Sequence, residues 1–285
     1  MASQKDFSVK ARPTWCPSCW NWSVWGALKN ALVELTLEPH KVLIVYGIGC
    51  SGNMTNFVNT YGFHGLHGRP IPIAIGAKLA NHKLAVIVVA GDGDTYGEGM
   101  NHFLQAARGN HDITLIVHNN QNYGLTTGQK SPTSERGYKS KSSPAGVRDT
   151  PVNPISLALA SGAGFVSRGY AVDPLGVQKL IVEAVKFKGF SLIDVLQPCI
   201  TFNKLNTSQW FKERVYDLEE SSHDSLDYKK ALLRSLEWGE KIPVGIFYKK
   251  EKPTYKDYLP QIKDKALVEQ DLKDIDIFPL FEEFI

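Results

Sequence analysis

Two short polar segments carry residue types that could hold a phosphate and a hard cation. Gly91-Asp92-Gly93-Asp94 offers a carboxylate between glycines, and Asn119-Asn120 offers amide oxygens. A diphosphate bound at a sheet edge needs backbone N–H groups that can approach it closely, which Gly91 and Gly93 permit, together with a cation held by oxygen. Magnesium asks for near-octahedral oxygen coordination at about 2.0 to 2.1 Å and usually keeps phosphate oxygens and water among its ligands. Asp92 can supply one protein ligand, Asn120 a side-chain oxygen and Asn122 a main-chain carbonyl, while Gly124 lets the backbone pass close to the phosphate. Gly, Asp and Asn ordinarily mean nothing more than tight turns. That leaves unexplained why both clusters terminate apolar, strand-like runs.

The four cysteines form the second chemical set. Cys16-Pro17-Ser18-Cys19 precedes a helical pattern, Cys50 lies in the turn Gly47-Ile48-Gly49-Cys50-Ser51-Gly52, and Cys199 follows Pro198. A chain of 285 residues in a reducing compartment gains little from disulfides, so metal or redox chemistry is the better reading. Four thiolates bind either a 4Fe-4S cluster or structural zinc. Zinc sites usually use two closely spaced pairs, whereas here two ligands stand alone and far apart, which favours the cluster. Isolated cysteines are often small buried hydrophobes. A glycine-rich turn and a preceding proline are poor places for that role.

These residues need a scaffold that brings distant turns together. Val42 to Tyr46, Leu84 to Ala90, Ile113 to His118 and Ser191 to Leu196 are apolar runs that each stop at a polar or cysteine-bearing turn. Between them lie helical patterns at Ser23 to Leu37, Gly99 to Arg108 and Asp173 to Phe187. The alternation predicts an α/β fold, a parallel sheet flanked by helices, with ligands bound beyond the carboxyl ends of the strands. Residues 94 to 118 separate Gly93 from Asn119, room for one helix and one strand, so both turns fall at the same edge. Thr126 to Asn153 has no periodicity and is expected to be a long functional loop. A helix is expected at Ser225 to Trp238 and a strand at Val244 to Tyr248. The charged tail from Lys249 has the composition of an arm lying on a partner or of a solvated tail.

Composition narrows the partners. A net charge of +3 with scattered basic residues leaves no phosphate-backbone footprint, so nucleic acid is not expected. No run approaches the roughly 18 apolar residues that span a bilayer, and the polar N-terminus has no apolar h-region. A cytoplasmic protein with no membrane association is expected.

The spacing of Gly-Asp-Gly and Asn-Asn resembles the thiamine-diphosphate motif. Taken in order, WCPSCW, GIGCSGN, HGLHGRP, GDGDTYGEG, NNQNYGLTTGQ and DVLQPC resemble the beta subunit of 2-oxoacid:ferredoxin oxidoreductases, over roughly Trp15 to Asn203. The resemblance implies a thiamine-diphosphate-binding fold carrying thiamine diphosphate, magnesium and one 4Fe-4S cluster. It also implies a larger alpha subunit, and oxidative decarboxylation of a 2-oxoacid with coenzyme A to acyl-CoA and carbon dioxide, electrons passing to ferredoxin. Residue by residue, it implies cluster ligation by Cys16, Cys19, Cys50 and Cys199, and magnesium ligation by Asp92, Asn120 and the Asn122 carbonyl. Cofactor contacts would come from Ile48, Gly49, Cys50, Ser51, His67, Gly93, Asp94, Gly124 and Leu125, with His67 the one candidate for a catalytic part.

Trp20 stands where glycine is common after the second cysteine, and Asn119 replaces an often-found aspartate. Lysines that some broad-specificity relatives carry are absent at Asn53 and Thr127, so the acid preference stays open. No glutamate has a convincing position for activating the cofactor. Glu98 suits a helix N-terminus, and the resemblance assigns the activating glutamate to the alpha chain. Residues 1–203 are expected to form the thiamine-diphosphate and iron-sulfur domain, and 204–285 a C-terminal extension packing on the partner. A thiamine-dependent decarboxylase or synthase without a cluster, and a zinc-stabilised assembly subunit, are the alternatives.

Overall fold

The structure, a computed structural model, describes residues 2–271, 273 and 276–284. Helix α1 (Asn21–Glu34) leads into β1 (Val42–Tyr46), followed by β2 (Tyr61–His64) and α2 (Pro70–Ala80). Strands and helices then alternate through β3 (Ala85–Gly91), α3 (Met100–Gly109), β4 (Thr114–Asn119), α4 (Pro154–Ala160), β5 (Phe165–Tyr170), α5 (Pro174–Lys186) and β6 (Ser191–Leu196). Beyond β6 come α6 (Ser208–Lys212), β7 (Val215–Asp217), α7 (Tyr228–Ser235) and β8 (Ile242–Lys249).

All eight strands form one sheet in the order β2-β1-β3-β4-β6-β5-β8-β7. Every neighbouring pair is parallel except β5 with β8. The central strands are continuous apolar runs because helices cover both faces. Successive side chains point to opposite faces, and β3 shows the division. Ile87 and Val89 pack with Leu28 of α1 and Ile181 of α5, while Val86, Val88 and Ala90 pack with Ile71 of α2, Phe103 of α3 and Ile155 of α4. Register pairs Tyr46 with Val89, Gly91 with His118 and Asn119 with Leu196, so β1, β3, β4 and β6 end along one edge.

Local signals set the helix ends. The Asp173 side chain accepts from Gly176 N at 3.0 Å with Pro174 next in sequence, a capped start for α5. Asn110 closes α3 in the left-handed conformation at φ 49°.

The expected strands and helices are present with ends shifted by a few residues, and the stretch from Thr126 to Asn153 holds only turns and isolated bridges. Several elements had no periodic signature. Helix α2 begins Pro-Ile-Pro-Ile and is apolar on several sides, although only Pro70, Ile71 and Ala74 are buried. Strand β2 is four exposed residues, and β7 is three. Strand β5 carries Arg168, fully buried beside its register partner Asp194 on β6, with Nε 3.5 Å from Oδ2. A charge inside a strand breaks the apolar run by which strands are recognised.

Past residue 203, β7 and β8 continue the same sheet. Part of the tail lies on its own chain. Asn110 Nδ2 donates to the carbonyls of Lys252 and Pro253 at 3.1 and 3.0 Å, and Tyr255 packs its ring on His111. Among the described residues no helix is long and apolar enough to cross a membrane.

Candidate functional site

At the carboxyl edge of the sheet, three strand-ending turns and the turn before α2 enclose a pocket. The turn after β1 contributes Ile48, Gly49, Cys50 and Ser51, and the turn after β3 contributes Gly91, Asp92, Gly93 and Asp94. His118 at the end of β4 and the segment beyond it contribute Asn120, Asn122, Tyr123, Gly124, Leu125 and Thr126, while His67 enters from the turn before α2. Every residue that the resemblance assigned to thiamine diphosphate or magnesium therefore lines one pocket, whereas Asn119 of the Asn pair turns its side chain to Asp194 and Thr133 instead. Close approach requires glycine at position 47 and leaves little room beyond glycine at position 124. A Cβ on Gly47 would stand 1.9 Å from Asp94 Oδ2, and one on Gly124 would lie 3.3 Å from both Cys50 Sγ and Asn122 Oδ1.

The pocket floor is polar and desolvated. Asp92 is buried, and burial pushes its carboxyl up to about 6, opposed by bonds from Ser131 and Thr133. Asn120 Oδ1 accepts from Asn122 N at 3.2 Å, and Asn122 Nδ2 donates to the Asn120 carbonyl at 2.8 Å, folding the Asn-Gln-Asn turn on itself. Asp94 has a different task. Its Oδ1 accepts from Gly68 N at 2.8 Å and Ile48 N at 3.3 Å and lies 2.8 Å from His67 Nδ1, tying three segments together. Burial raises its carboxyl. Glu98 stands one residue before the cap of α3 and lies 3.3 Å from His67 Nδ1 through Oε2. Tyr123 OH bonds its two carboxylate oxygens at 3.1 and 3.2 Å.

Ser51 Oγ, Asp94 Oδ2, Asn122 Oδ1 and His118 Nε2 are buried without a hydrogen-bond partner. Orphaned buried polar atoms are costly unless a ligand, ion or water satisfies them. Together with the Asp92 carboxylate and the Asn120 oxygen they form an oxygen-rich set that fits a hard cation with phosphate oxygens.

The four cysteines lie on three segments: the loop before α1, the turn after β1 and the loop after β6. None is in a disulfide, and Cys16 is exposed while Cys19, Cys50 and Cys199 are half-buried. Burial pushes the Cys50 thiol up to about 12, and the neighbouring Cys19, Cys199 and Cys16 add to the rise. Cys19 is raised by burial too, with Cys199 and Cys16 contributing. All four thiols thus share one neighbourhood, where mutual repulsion of their thiolates suits a cationic cluster. Among the described residues, however, no three His, Cys, Asp or Glu side chains are arranged as a metal-holding group.

Several contributors had no recognisable signal in the sequence. His118 Nδ1 lies 2.8 Å from Asn21 Oδ1 and 2.7 Å from Gln197 Oε1. It thus joins the segment after Cys19 to the one before Cys199. Burial pushes its imidazole down to about 4. Tyr123 and Thr126 line the pocket, and Ser131 and Thr133 reach Asp92 from the long loop. Only their closeness to the Asn pair could have marked the first three, and only the polar Ser-Pro-Thr-Ser cluster the last two.

A parallel sheet with a glycine and carboxylate turn facing an asparagine turn defines a thiamine-diphosphate-binding domain. Residues 47–195 match the family described as thiamine pyrophosphate enzyme, C-terminal TPP binding domain, and residues 199–264 match the family described as the C terminal of the pyruvate ferredoxin oxidoreductase beta subunit. The chain is 48% identical over 249 residues to the 2-oxoacid:ferredoxin oxidoreductase subunit beta of Saccharolobus solfataricus, covering 83% of this chain and 82% of that one. It is 44% identical to the subunit of that name from Sulfolobus sp, covering 94% and 95%. A solved 2-oxoglutarate:ferredoxin oxidoreductase from Magnetococcus marinus, with 2-oxoglutarate, coenzyme A and succinyl-CoA bound, matches with TM-score 0.91 at 33% identity, covering 99% of this chain and 96% of that chain. The chain belongs to the family of 2-oxoacid:ferredoxin oxidoreductase beta subunits.

Proposed function

We propose that this chain is the cofactor-bearing half of a two-subunit enzyme that converts a 2-oxoacid and coenzyme A to acyl-CoA and carbon dioxide, passing electrons to ferredoxin. The observation that carries the proposal is one pocket whose orphaned oxygens adjoin a neighbourhood of four free thiols, with Cys50 belonging to both. Thiamine diphosphate, when bound, supplies the nucleophilic carbon for decarboxylation, and a 4Fe-4S cluster supplies the electron sink.

The protein's part is binding and orientation. Asp92, Asn120 and Asn122 would hold magnesium and through it the diphosphate. Ile48, Gly49, Ser51, Gly93, Asp94, Gly124 and Leu125 would pack along the cofactor. Asp94 and Glu98 face Nδ1 of His67, which leaves Nε2 as the nitrogen available to a bound molecule. Cys16, Cys19, Cys50 and Cys199 would ligate the cluster. Glu98 is engaged by Tyr123 and His67; the family resemblance assigns the activating carboxylate to the alpha subunit, and the single chain is expected to be inactive. Residues beyond 203 would pack on that subunit, in the cytoplasm.

Anaerobic purification of the two-chain complex, with iron, sulfide, zinc and thiamine assays, tests this reading. A brown protein absorbing near 400 nm that reduces ferredoxin only with both chains present is expected. A colourless zinc protein, or turnover by the single chain, would overturn it.

A further inference from the structure

One oxygen of the proposed cation ligand is held by two hydroxyls. Ser131 Oγ and Thr133 Oγ1 each lie 2.5 Å from Asp92 Oδ2. Both of these side-chain bonds fall on Oδ2 and neither on Oδ1. All three residues are buried.

The hydroxyls come from the loop that follows the Asn turn, and that part of the loop is stitched to the turn itself. Ser134 Oγ accepts from Ser131 N at 2.8 Å and donates to the Gln121 carbonyl at 2.7 Å, and Gln121 Nε2 donates to the Thr133 carbonyl at 2.9 Å. Farther along, Val152 N donates to the Pro132 carbonyl at 2.8 Å. Thr133 Oγ1 also lies 2.9 Å from Asn119 Oδ1, so its single hydrogen faces two acceptors. Asn119 is turned that way because its Nδ2 faces both oxygens of Asp194 at 3.1 and 3.3 Å. A carboxylate is the stronger acceptor, and charge-assisted bonds are shorter and stronger than neutral ones. The hydrogens of both hydroxyls therefore go to Asp92 Oδ2.

We propose that Ser131 and Thr133 are positioning residues for the metal: their hydroxyls fix the rotation of the Asp92 carboxylate and direct Oδ1 to the cation. The order of the Thr126 to Asn153 loop thereby becomes part of metal affinity. The proposal rests on Asp92 as a cation ligand, and its test must separate the two claims.

In the purified two-chain assembly with thiamine diphosphate, Mn2+ binding is read from the EPR signal of free Mn2+. Ser131→Ala and Thr133→Val are each expected to weaken Mn2+ binding by about 10- to 100-fold, the usual cost of losing a partner that orients a ligand. Turnover at saturating metal should stay near wild type, and Thr133→Ser should restore the affinity. A purely structural role would lower turnover and stability without this split. Asp92→Asn is the reference. If it loses Mn2+ while Ser131→Ala and Thr133→Val bind as wild type, the clamp is overturned and the metal site stands. If Asp92→Asn also binds as wild type, the metal site itself falls. Should Thr133→Val not assemble, Ser131→Ala compared with Thr133→Ser decides: weakening in the first alone supports the clamp, and wild-type affinity in both overturns it.

Discussion

The pocket and the cysteine neighbourhood meet at Cys50, yet they are built in different ways. Turns that leave adjacent parallel strands hold the pocket's oxygens, and register places Gly91 beside His118 and Asn119 beside Leu196. The thiols of Cys16, Cys19 and Cys199 hang on loops. A set of ligands placed by strand register is preorganised without its ion. A set placed by loops takes its final geometry from the group it binds, since binding and local folding are coupled. The single residue shared by both, Cys50, sits on the turn after β1 and so has the rigidity of the first set and the chemistry of the second.

The largest expected effect breaks the comparison along that line. Cys199→Ser should abolish absorbance near 400 nm in the reconstituted complex. Thiamine-diphosphate affinity, measured by calorimetry, should remain within about threefold, as expected for residues without shared partners. Cys50→Ser should lose the absorbance and weaken cofactor binding as well. Equal damage to cofactor binding in both variants would mean that the two regions are not separately built.

Beneath the oxygen set, Asp194 receives Tyr96 OH at 3.0 Å, faces Asn119 Nδ2 and lies beside Arg168. Asp194→Ala leaves a fully buried guanidinium without its counter-ion, which costs about 3 to 5 kcal/mol. Denaturant unfolding of the isolated chain should show that loss. A change below about 1 kcal/mol, the size of an ordinary hydrogen bond, would mean that the buried charge finds another partner.

Gly47→Ala places a methyl 1.9 Å from Asp94 Oδ2. Overpacking of this kind costs about 1 to 3 kcal/mol. Because Asp94 ties the β1 turn to His67, cofactor affinity should fall together with stability, whereas unchanged cofactor affinity would separate that tie from the pocket. The smallest effect is expected from Tyr123→Phe. It removes the hydroxyl shared with Glu98 and should cost about 1 kcal/mol or less at this partly exposed position. A much larger loss in cofactor binding would show that the Tyr123 hydroxyl itself contributes to holding the cofactor.

The strongest periodic elements and the two polar turns were legible because local rules produce them. Buried strands such as Val42–Tyr46 need apolar side chains on both faces, and a turn that approaches a phosphate needs glycine. Spacing then brings Asp92 and Asn120 to one edge, since a crossover between parallel strands has to return the chain to the same side. Elements whose apolar surface is not periodic, such as α2, or whose strand carries a buried charge, such as β5, left no comparable trace.

By itself the sequence determined the chemical inventory and the main sheet: which residues can hold oxygen-loving and sulfur-loving metals, and which strands carry them. Tertiary structure decided which atoms face one another. Ser131 and Thr133 reach Asp92 only after the loop folds back over the Asn turn, His118 links two cysteine segments only across the closed sheet, and β8 joins β5 in the opposite direction to the rest. The physical reason is the range of the forces involved. Periodicity and turn preference act within a few residues, whereas these contacts arise from burial and hydrogen-bond satisfaction between segments far apart in the chain.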